Sequence, residues 1–209
     1  MRILLGTTNP SKVKWFSDLL KGYDVEFVTL KDLAITDEPE ENGTTPEENA
    51  IAKAKFYGQY FDVVICNDSG LYFEELALND VRQPGLNVRT PMQMDRLLDE
   101  EMIDYYSKLI DTLGGKVSAY YLDGIAVYYH GTIYSFMDAD EAKKTGSFYM
   151  IGKASSKRFE GWPLDSLSIN KETGKYFVDG SMEESKENII KDDYEKSIVD
   201  FLKKSLHIE

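Results

Sequence analysis

Residues 1–20, MRILLGTTNPSKVKWFSDLL, decide the fold class of this chain, because an apolar run, a polar loop and an amphipathic segment follow one another directly. Residues 3–5 predict a buried strand. Asn9 is a favourable helix N-cap, and Pro10 suits the first helical position because it needs no N–H there. The helix itself is indicated by apolar side chains at three- and four-residue spacing, namely Val13, Phe16, Leu19 and Leu20.

The same alternation of strand and helix continues along the chain. VEFVTL (25–30) predicts a second strand, and Thr45 and Glu48 form a capping box for a second helix, with Pro46 as its first residue. DVVIC (62–66) predicts a buried strand that ends in a polar loop, NDSG. This order favours an α/β fold with a mixed sheet flanked by helices.

The second half of the chain predicts a helix, a group of strands and a closing helix. The long helix is expected from about Met92 to Leu113, and His130-Gly131 is typical of a turn between two hairpin strands. GSFYMIG and KYFVDG are further strand candidates, and the closing helix is expected within residues 181–206. We expect residues 1–209 to form a single α/β domain with two lobes, one of them formed by residues 92–150, and a cleft between the lobes.

The composition limits the partners and the compartment. Thirty-seven acidic and twenty-four basic residues give a net charge of −13, which disfavours binding to polymeric nucleic acid or to an anionic membrane. A phosphate ligand must therefore be small and locally compensated. Cys66, the single cysteine, cannot form an internal disulfide and is expected to be buried. No apolar stretch is long enough to cross a bilayer and no export signal is recognisable, so we expect a cytoplasmic protein.

Two groups of residues are candidates for phosphate and metal chemistry. Thr7 to Lys12 lie where a strand passes into a helix, whose free N–H groups can bind an anion, although the pattern alone is typical of any capped helix. Asp68 follows a buried strand, and with Glu40 or Glu41 it could hold Mg²⁺. Lys53 and Lys55 lie on the intervening helix, and only one of them needs to face the site.

A third candidate, RFEGWPLD (158–165), places two aromatic side chains next to a carboxylate. Phe159 and Trp162 could stack on a flat base while Asp165 accepts hydrogen bonds from its edge. Taken alone, aromatic residues near a Gly-Pro turn are more typical of a small satellite core. His130 and His207 have no predicted role.

In order, TTNPSK (7–12), EENGTTPEENAIAKAK (40–55), NDSGL (67–71) and PGLNVR (84–89) resemble the inosine triphosphate pyrophosphatase family. The resemblance is well spaced from Met1 to about Arg89 and looser beyond it. It implies an elongated, two-lobed α/β homodimer with a central cleft. It also implies Mg²⁺-dependent hydrolysis of inosine, deoxyinosine and xanthosine triphosphates to the monophosphate and pyrophosphate.

The resemblance also assigns roles to particular positions. It implies a catalytic role for Asp68 and metal binding by Asp68 and Glu40, with Glu41 as the alternative glutamate. The phosphate-binding residues that it implies are Thr7, Asn9, Lys12, Lys53, Ser69 and Gly70. At the base, it points to Phe159, Trp162, Asp165 and Lys186.

Three departures from the family distinguish this chain. Asn67-Asp68 stands where the family usually has two acidic residues before the serine, Asp165 is displaced relative to the aromatic-Asp-Pro element, and the Ser-His-Arg element of the last helix is absent. Because base-edge hydrogen bonds contribute strongly to discrimination, we expect an altered base preference. The alternatives are a nucleotide-binding protein without catalysis, a related pyrophosphatase for modified nucleotides, and a structural protein.

Overall fold

The amino-terminal strand leads directly into a capped helix, as the sequence predicts. The computed structural model describes residues 1–159, 161–180 and 193–209, and in it β1 (Arg2–Leu5) is followed by α1 (Pro10–Leu19). The Asn9 side chain accepts a hydrogen bond from the Ser11 amide at 2.9 Å. This bond satisfies one of the N–H groups that the start of a helix leaves without a partner.

The remaining strands and helices follow β1 and α1 in chain order. They are β2 (Glu26–Thr29), α2 (Pro46–Tyr57), β3 (Val63–Phe73), α3 (Asp99–Thr112), β4 (Lys116–Tyr129), β5 (Thr132–Phe136), α4 (Ala139–Thr145), β6 (Phe148–Ile151), β7 (Ser168–Ile169) and α5 (Asp193–Leu206). Short 3₁₀ turns lie at Pro91–Gln93, Pro163–Ser166 and Phe177–Asp179. None of the helices in the described ranges is both long and apolar enough to cross a membrane.

The sheet is mixed. Its strand order is β2-β1-β3-β4-β6-β7, with β5 paired to β4. Strand β1 is parallel to β2 and to β3, whereas β4 is antiparallel to β5 and to β6. The predicted α/β fold, a mixed sheet with flanking helices, is confirmed.

The chain divides into two compact units, each with a core of its own. The first comprises Met1–Ser69, Leu122–Ala139 and Asp193–Glu209, and the second comprises Gly70–Tyr121 and Asp140–Asp192. In the first unit α2 covers a core that includes Leu4, Ala50, Ala54, Val64 and Cys66. In the second unit α3 contributes to a core that includes Phe73, Met102, Tyr106, Ile110, Val117 and Met150.

The predicted polar loop at NDSG is wrong, because β3 continues through it to Phe73. An isolated bridge between Leu71 and Gly85 holds the far end of the strand, with hydrogen bonds of 3.0 and 2.8 Å between their backbones. A Cβ atom on Gly70 would lie 3.1 Å from the Gly85 carbonyl oxygen, so glycine permits this close approach. The polar residues of NDSG therefore occupy a strand.

The predicted start of the long helix at Met92 is also wrong, since α3 begins at Asp99. Met92 and Gln93 have positive φ angles of 52° and 61°, which a helix cannot continue through. The Glu101 carboxylate accepts a hydrogen bond from the Leu98 amide at 2.7 Å and closes the first turn of α3. Charge and capping, rather than the apolar pattern, thus define this helix start.

The other predictions for the second half have mixed outcomes. The hairpin is confirmed: β4 and β5 are joined at His130 and Gly131, whose φ angles of 46° and 92° suit a tight turn. A strand at KYFVDG is wrong, because Phe177–Asp179 form a 3₁₀ turn. The described part of the closing helix, α5, buries Tyr194, Ile198 and Leu202.

Candidate active site

Part of the predicted phosphate and metal set of the first unit lies at the middle of β3, where Lys53 and Lys12 interact with Asp68. Successive side chains of a strand point to opposite faces of the sheet, so Asn67 and Ser69 share one face and Asp68 faces the other. The contacts agree with this alternation, because Asp68 contacts Asn49 of α2 whereas Ser69 contacts Asp123 of β4. Asp68 and Asn49 therefore form a polar contact on one face of the sheet, and Ser69 and Asp123 form another on the opposite face.

On the α2 face, Asp68 is fixed by an amide and an ammonium group. The Asn49 Nδ2 atom donates to Asp68 Oδ2 at 2.8 Å, and Lys53 Nζ lies 3.8 Å from Asp68 Oδ1. The same Lys53 Nζ lies 2.8 Å from Glu41 Oε2. Of the two lysines on α2, Lys53 therefore faces the site, with 14% of its side chain exposed, and Lys55 is exposed.

Asn49 also ties the acidic loop to the site. Its Oδ1 atom accepts a hydrogen bond from the Gly43 amide at 2.8 Å, and the residue is only 4% exposed. The start of α2 is held by Thr45, whose hydroxyl accepts from the Glu48 amide at 3.2 Å. The Glu48 carboxylate bonds Thr44 instead of the Thr45 amide, so the capping box closes one residue early.

On the other face, Asp123 lies beside Ser69 and Asn67. The Ser69 hydroxyl donates to Asp123 Oδ1, and Asn67 Nδ2 donates to the Ser69 oxygen at 3.4 Å. Burial raises the pKa of Asp123, and this rise is opposed by the Ser69 hydrogen bond and by the charge of Lys12. Asn67 is 2% exposed, and its Oδ1 atom has no hydrogen-bond partner within the described residues.

Lys12, in the first turn of α1, interacts with charges on both faces. Burial lowers the pKa of Lys12 and the charge of Lys53 lowers it further, whereas Asp123, Asp68 and Glu41 oppose the decrease. Two ammonium groups and three carboxylates thus share one region of the first unit. Such an arrangement can bind an anionic ligand only with local charge compensation.

The loop before α1 passes close to β3. The Gly6 amide donates to the Ile65 carbonyl at 2.9 Å, and a Cβ atom on Gly6 would overlap the Cys66 sulfur and the Tyr57 ring. Beyond it, the Thr7 hydroxyl accepts from the Asn9 amide at 3.2 Å. Thr7 and Asn9 are therefore both engaged in forming the start of α1.

The carboxylates of this region have the chemistry of a site for a hard cation. The Lys53 ammonium group contacts both Glu41 and Asp68, so these two carboxylates share one positive charge. Carboxylate oxygens are ligands that suit Mg²⁺. Glu40, the glutamate first assigned to the metal, instead accepts a hydrogen bond from Asn42 at 3.0 Å. Across the described ranges, no three or more His, Cys, Asp or Glu side chains are grouped closely enough to form a complete metal site.

Cys66 is buried, as predicted. Burial raises the pKa of its thiol to about 12, so the reactive thiolate is scarce at neutral pH.

Phe159, Trp162 and Asp165, three of the residues predicted at the base, belong to the second unit, as does Gly70. Asp165 lies in the 3₁₀ turn Pro163–Ser166, and burial raises the pKa of its carboxyl group to about 7. Trp162 is 41% exposed, and Phe159 is partly buried. Lys186 lies outside the described residues.

Sequence reasoning missed Asn49 and Asp123. Asn49 gives no sequence signal, because an asparagine within a helix is usually solvated. Asp123 does give one, since it is the charged residue in the otherwise uncharged run AYYLDGIAVYY (119–129). A buried charge in such a strand requires partners and indicates a functional position.

A sequence model of the Ham1 family matches residues 3–143, which is more than half of the chain. The chain belongs to the Ham1 family. Curated relatives that match this chain are named dITP/XTP pyrophosphatases. The family match and these names together confirm the resemblance indicated by the motifs.

Two such relatives illustrate the extent of the similarity. The protein from Caldanaerobacter subterraneus subsp. tengcongensis is 42% identical over 88 residues, which cover 41% of this chain and 42% of the relative. The protein from Bacillus subtilis is 43% identical over 77 residues, covering 35% and 38% of the two chains. The match thus spans less than half the length of these relatives.

Solved Ham1 structures show the same fold. The Coxiella burnetii HAM1 protein superposes with a TM-score of 0.68 at 20% identity, covering 88% of this chain and 89% of that one. The Staphylococcus aureus Ham1 protein gives a TM-score of 0.63 at 22% identity, covering 97% and 98%.

Proposed function

We propose that this Ham1-family chain is a nucleoside triphosphate pyrophosphatase that hydrolyses inosine- and xanthosine-type ribo- and deoxyribonucleotides to the monophosphate and pyrophosphate. The observation that carries the proposal is the position of Lys53 between Asp68 and Glu41, with Lys12 coupled to the same charges. The names of the relatives support the choice of substrate.

The chemistry is one of positioning and charge stabilisation. Lys12 and Lys53 neutralise the phosphate chain at the start of α1. The backbone N–H groups of Thr7 and Asn9 are already bonded within the protein, so the Thr7 hydroxyl and the Asn9 side-chain amide are the proposed donors to phosphate oxygens. Ser69 and Gly70 complete the predicted phosphate-binding set. A water attacks one phosphorus atom of the α–β phosphoanhydride in line with the bridging oxygen. Its P–O bond forms as the bond from that phosphorus to the bridging oxygen breaks and the water loses its proton, which gives the monophosphate and pyrophosphate without a covalent nucleophile.

Asp68 is the proposed catalytic residue. Its hydrogen bond from Asn49 fixes one carboxylate oxygen, and the Lys53 ammonium lies on the side of the other. A carboxylate held in this way can orient the attacking water or accept its proton, or it can bind the metal.

Mg²⁺ is the proposed cofactor, held by Asp68 with Glu41 or with Glu40. The contact with Lys53 supports Glu41 over Glu40 as the second metal ligand, because Glu41 and Asp68 contact the same ammonium group. When bound, Mg²⁺ neutralises phosphate charge and lowers the pKa of a coordinated water. A homodimer, implied by the resemblance, and a cytoplasmic location, expected from the sequence, complete the proposal.

The base end is proposed to comprise Phe159, Trp162, Asp165 and Lys186. A carboxyl group with a pKa of about 7 is partly protonated at neutral pH, so Asp165 can both donate and accept hydrogen bonds. Together with the absent Ser-His-Arg element, this supports an altered base preference.

The test is pyrophosphate release with Mg²⁺ from inosine, deoxyinosine, xanthosine, adenosine, guanosine and modified pyrimidine triphosphates. Turnover of the oxopurine nucleotides supports the proposal, and a strong preference for inosine triphosphate over ATP contradicts the altered base preference. Binding without turnover favours a nucleotide-binding protein, an alternative suggested by Asn67, which stands where the family usually has an acidic residue. Turnover of modified pyrimidines alone identifies a related pyrophosphatase.

A further inference from the structure

The buried carboxylate of Asp123 is not used by the mechanism described above. It lies on β4, 54 residues beyond Ser69 in the chain, and it is bonded to the Ser69 hydroxyl. Ser69 directly follows the proposed catalytic residue. Asp123 is therefore adjacent to the catalytic strand, although no sequence motif of the resemblance contains it.

The surroundings of Asp123 hold it in place from several directions. Its backbone amide donates to the Tyr194 hydroxyl of α5 at 3.1 Å. The next residue, Gly124, lies against the start of α2, where a Cβ atom would be within 2.5 Å of the Glu47 Cα atom. Strand β4 is thus fixed against two helices at this point, and the carboxylate has a defined position.

Asn67, on the neighbouring strand β3, also contacts Ser69. It shares Ser69 with Asp123, and its buried Oδ1 atom has no partner within the described residues. An uncompensated buried acceptor is costly, so this atom is expected to serve a ligand or a water. Position 67 is also where the resemblance expects an acidic side chain and the chain has none.

The Asp123 carboxylate changes the net charge of the region. Lys12 and Lys53 contribute two positive charges, and Glu41 and Asp68 contribute two negative charges, which leaves no net attraction for a cation. The Asp123 carboxylate, when ionised, makes the net charge of the group negative, and the Ser69 hydrogen bond and the charge of Lys12 favour this ionised form against the effect of burial. Because the Asp123 carboxylate interacts electrostatically with Lys12 and Asp68, we expect its charge to change the affinity for a divalent cation by about tenfold.

We infer that Asp123 is a further residue of the site: it supplies, from β4, the carboxylate that position 67 lacks, and it raises the affinity of the site for a divalent cation. The role is electrostatic and positional. Asp123 acts through the field that it contributes and through Ser69, without contact to the reacting atoms. The inference rests on the proposed function for its catalytic meaning, but cation binding can be measured without substrate.

The experiment compares Mn²⁺ affinity, measured by electron paramagnetic resonance, in the wild type, Asp123→Asn, and the double variant Asn67→Asp with Asp123→Asn. We expect Asp123→Asn to weaken Mn²⁺ binding about tenfold. The double variant should recover most of the affinity, because position 67 lies on the same face of the sheet beside Ser69. Asp18→Asn, which removes an exposed carboxylate at the other end of α1, is the matched control and should bind Mn²⁺ as the wild type does.

A second readout separates this role from a structural one. Binding of inorganic tripolyphosphate without metal, measured by calorimetry, should not weaken in Asp123→Asn, because a negative charge near Lys12 has been removed. Wild-type Mn²⁺ affinity in Asp123→Asn, loss of both affinities, or a double variant no better than the single one would overturn the inference. Failure of the wild type to hydrolyse any triphosphate would instead overturn the proposed function and leave the Mn²⁺ comparison valid.

Discussion

The Asn49 amide of α2 and the Asp68 carboxylate of β3, 19 residues apart in the chain, are joined by a hydrogen bond of 2.8 Å. Asn49 uses its other amide atom, Oδ1, to hold the Gly43 amide at the end of the acidic loop. One buried side chain thus fixes both the Asp68 carboxylate, the proposed catalytic group, and the loop that carries Glu41.

Replacing this side chain should impair both catalysis and stability. Asn49→Ala removes two hydrogen bonds at a buried position, so we expect a loss of about 1–3 kcal/mol in the free energy of unfolding. We also expect pyrophosphate release to fall at least about tenfold, because Asp68 loses its orientation. Urea denaturation and a pyrophosphate assay measure the two effects. Asn42→Ala, at an exposed asparagine bonded to Glu40, is the control, and equal effects of both variants would contradict the assignment.

The two lysines of α2 should differ in function. Lys53 contacts Glu41 and Asp68, whereas Lys55 is exposed. We expect Lys53→Ala to lower kcat/KM by about a hundredfold or more, because a charge-assisted contact to the phosphate chain is lost. Lys55→Ala should stay within about twofold of the wild type, since an exposed lysine contributes little. Similar kinetics for the two variants would show that Lys53 does not face the substrate.

Position 124, where β4 contacts the start of α2, should not tolerate a side chain. A Cβ atom on Gly124 would overlap the backbone of Pro46 and Glu47, which cannot move without displacing α2. We expect Gly124→Ala to cost about 3 kcal/mol of unfolding free energy. At Gly180 the nearest atom to an added Cβ is 3.5 Å away, so Gly180→Ala should change stability little. Thermal denaturation of both variants provides the comparison, and a stable Gly124→Ala protein would contradict the packing described.

Asp165 should make the stability of the protein depend on pH. Burial raises the pKa of its carboxyl group from 3.8 to about 7, so the folded state binds this proton more tightly than the unfolded state does. The resulting stabilisation is complete below the unfolded pKa and is lost as the pH rises through the folded pKa. The Asp165→Asn variant has no titratable carboxyl group at this position, so its stability should not fall in this way as the pH rises. Between about pH 5 and pH 8 we expect it to gain about 2 kcal/mol relative to the wild type. A stability difference that is the same at both pH values would show that Asp165 is not protonated in the folded state.

The parts of the structure that local sequence determines were predicted, and the parts that depend on distant pairing were not. Asn9 and Thr45 cap their helices through neighbouring amides, and the turn at His130-Gly131 is a local feature of the hairpin. The extension of β3 through Asn67 and Ser69, in contrast, depends on partners elsewhere in the chain. Polar residues in sequence suggest a loop, but in a sheet their backbone groups are satisfied by neighbouring strands.

The same distinction applies to the candidate site. Lys12, Lys53 and Asp68 were predicted from motifs, and the structure brings them into one unit. Asp123 contacts the site only because β4 lies beside β3, which short-range patterns cannot predict. The choice of Glu41 over Glu40 as the neighbour of Lys53 likewise depends on the path of an acidic loop that contains several carboxylates.

The central claim is that the chain cleaves a nucleoside triphosphate between its α and β phosphorus atoms with Asp68 as the catalytic residue. The most direct measurement is ³¹P nuclear magnetic resonance of deoxyinosine triphosphate incubated with Mg²⁺ and either the wild type or Asp68→Asn. We expect the wild type to yield deoxyinosine monophosphate and pyrophosphate without a diphosphate intermediate, and the folded variant to yield neither. Formation of the diphosphate and inorganic phosphate, or unchanged turnover by Asp68→Asn, would contradict the claim.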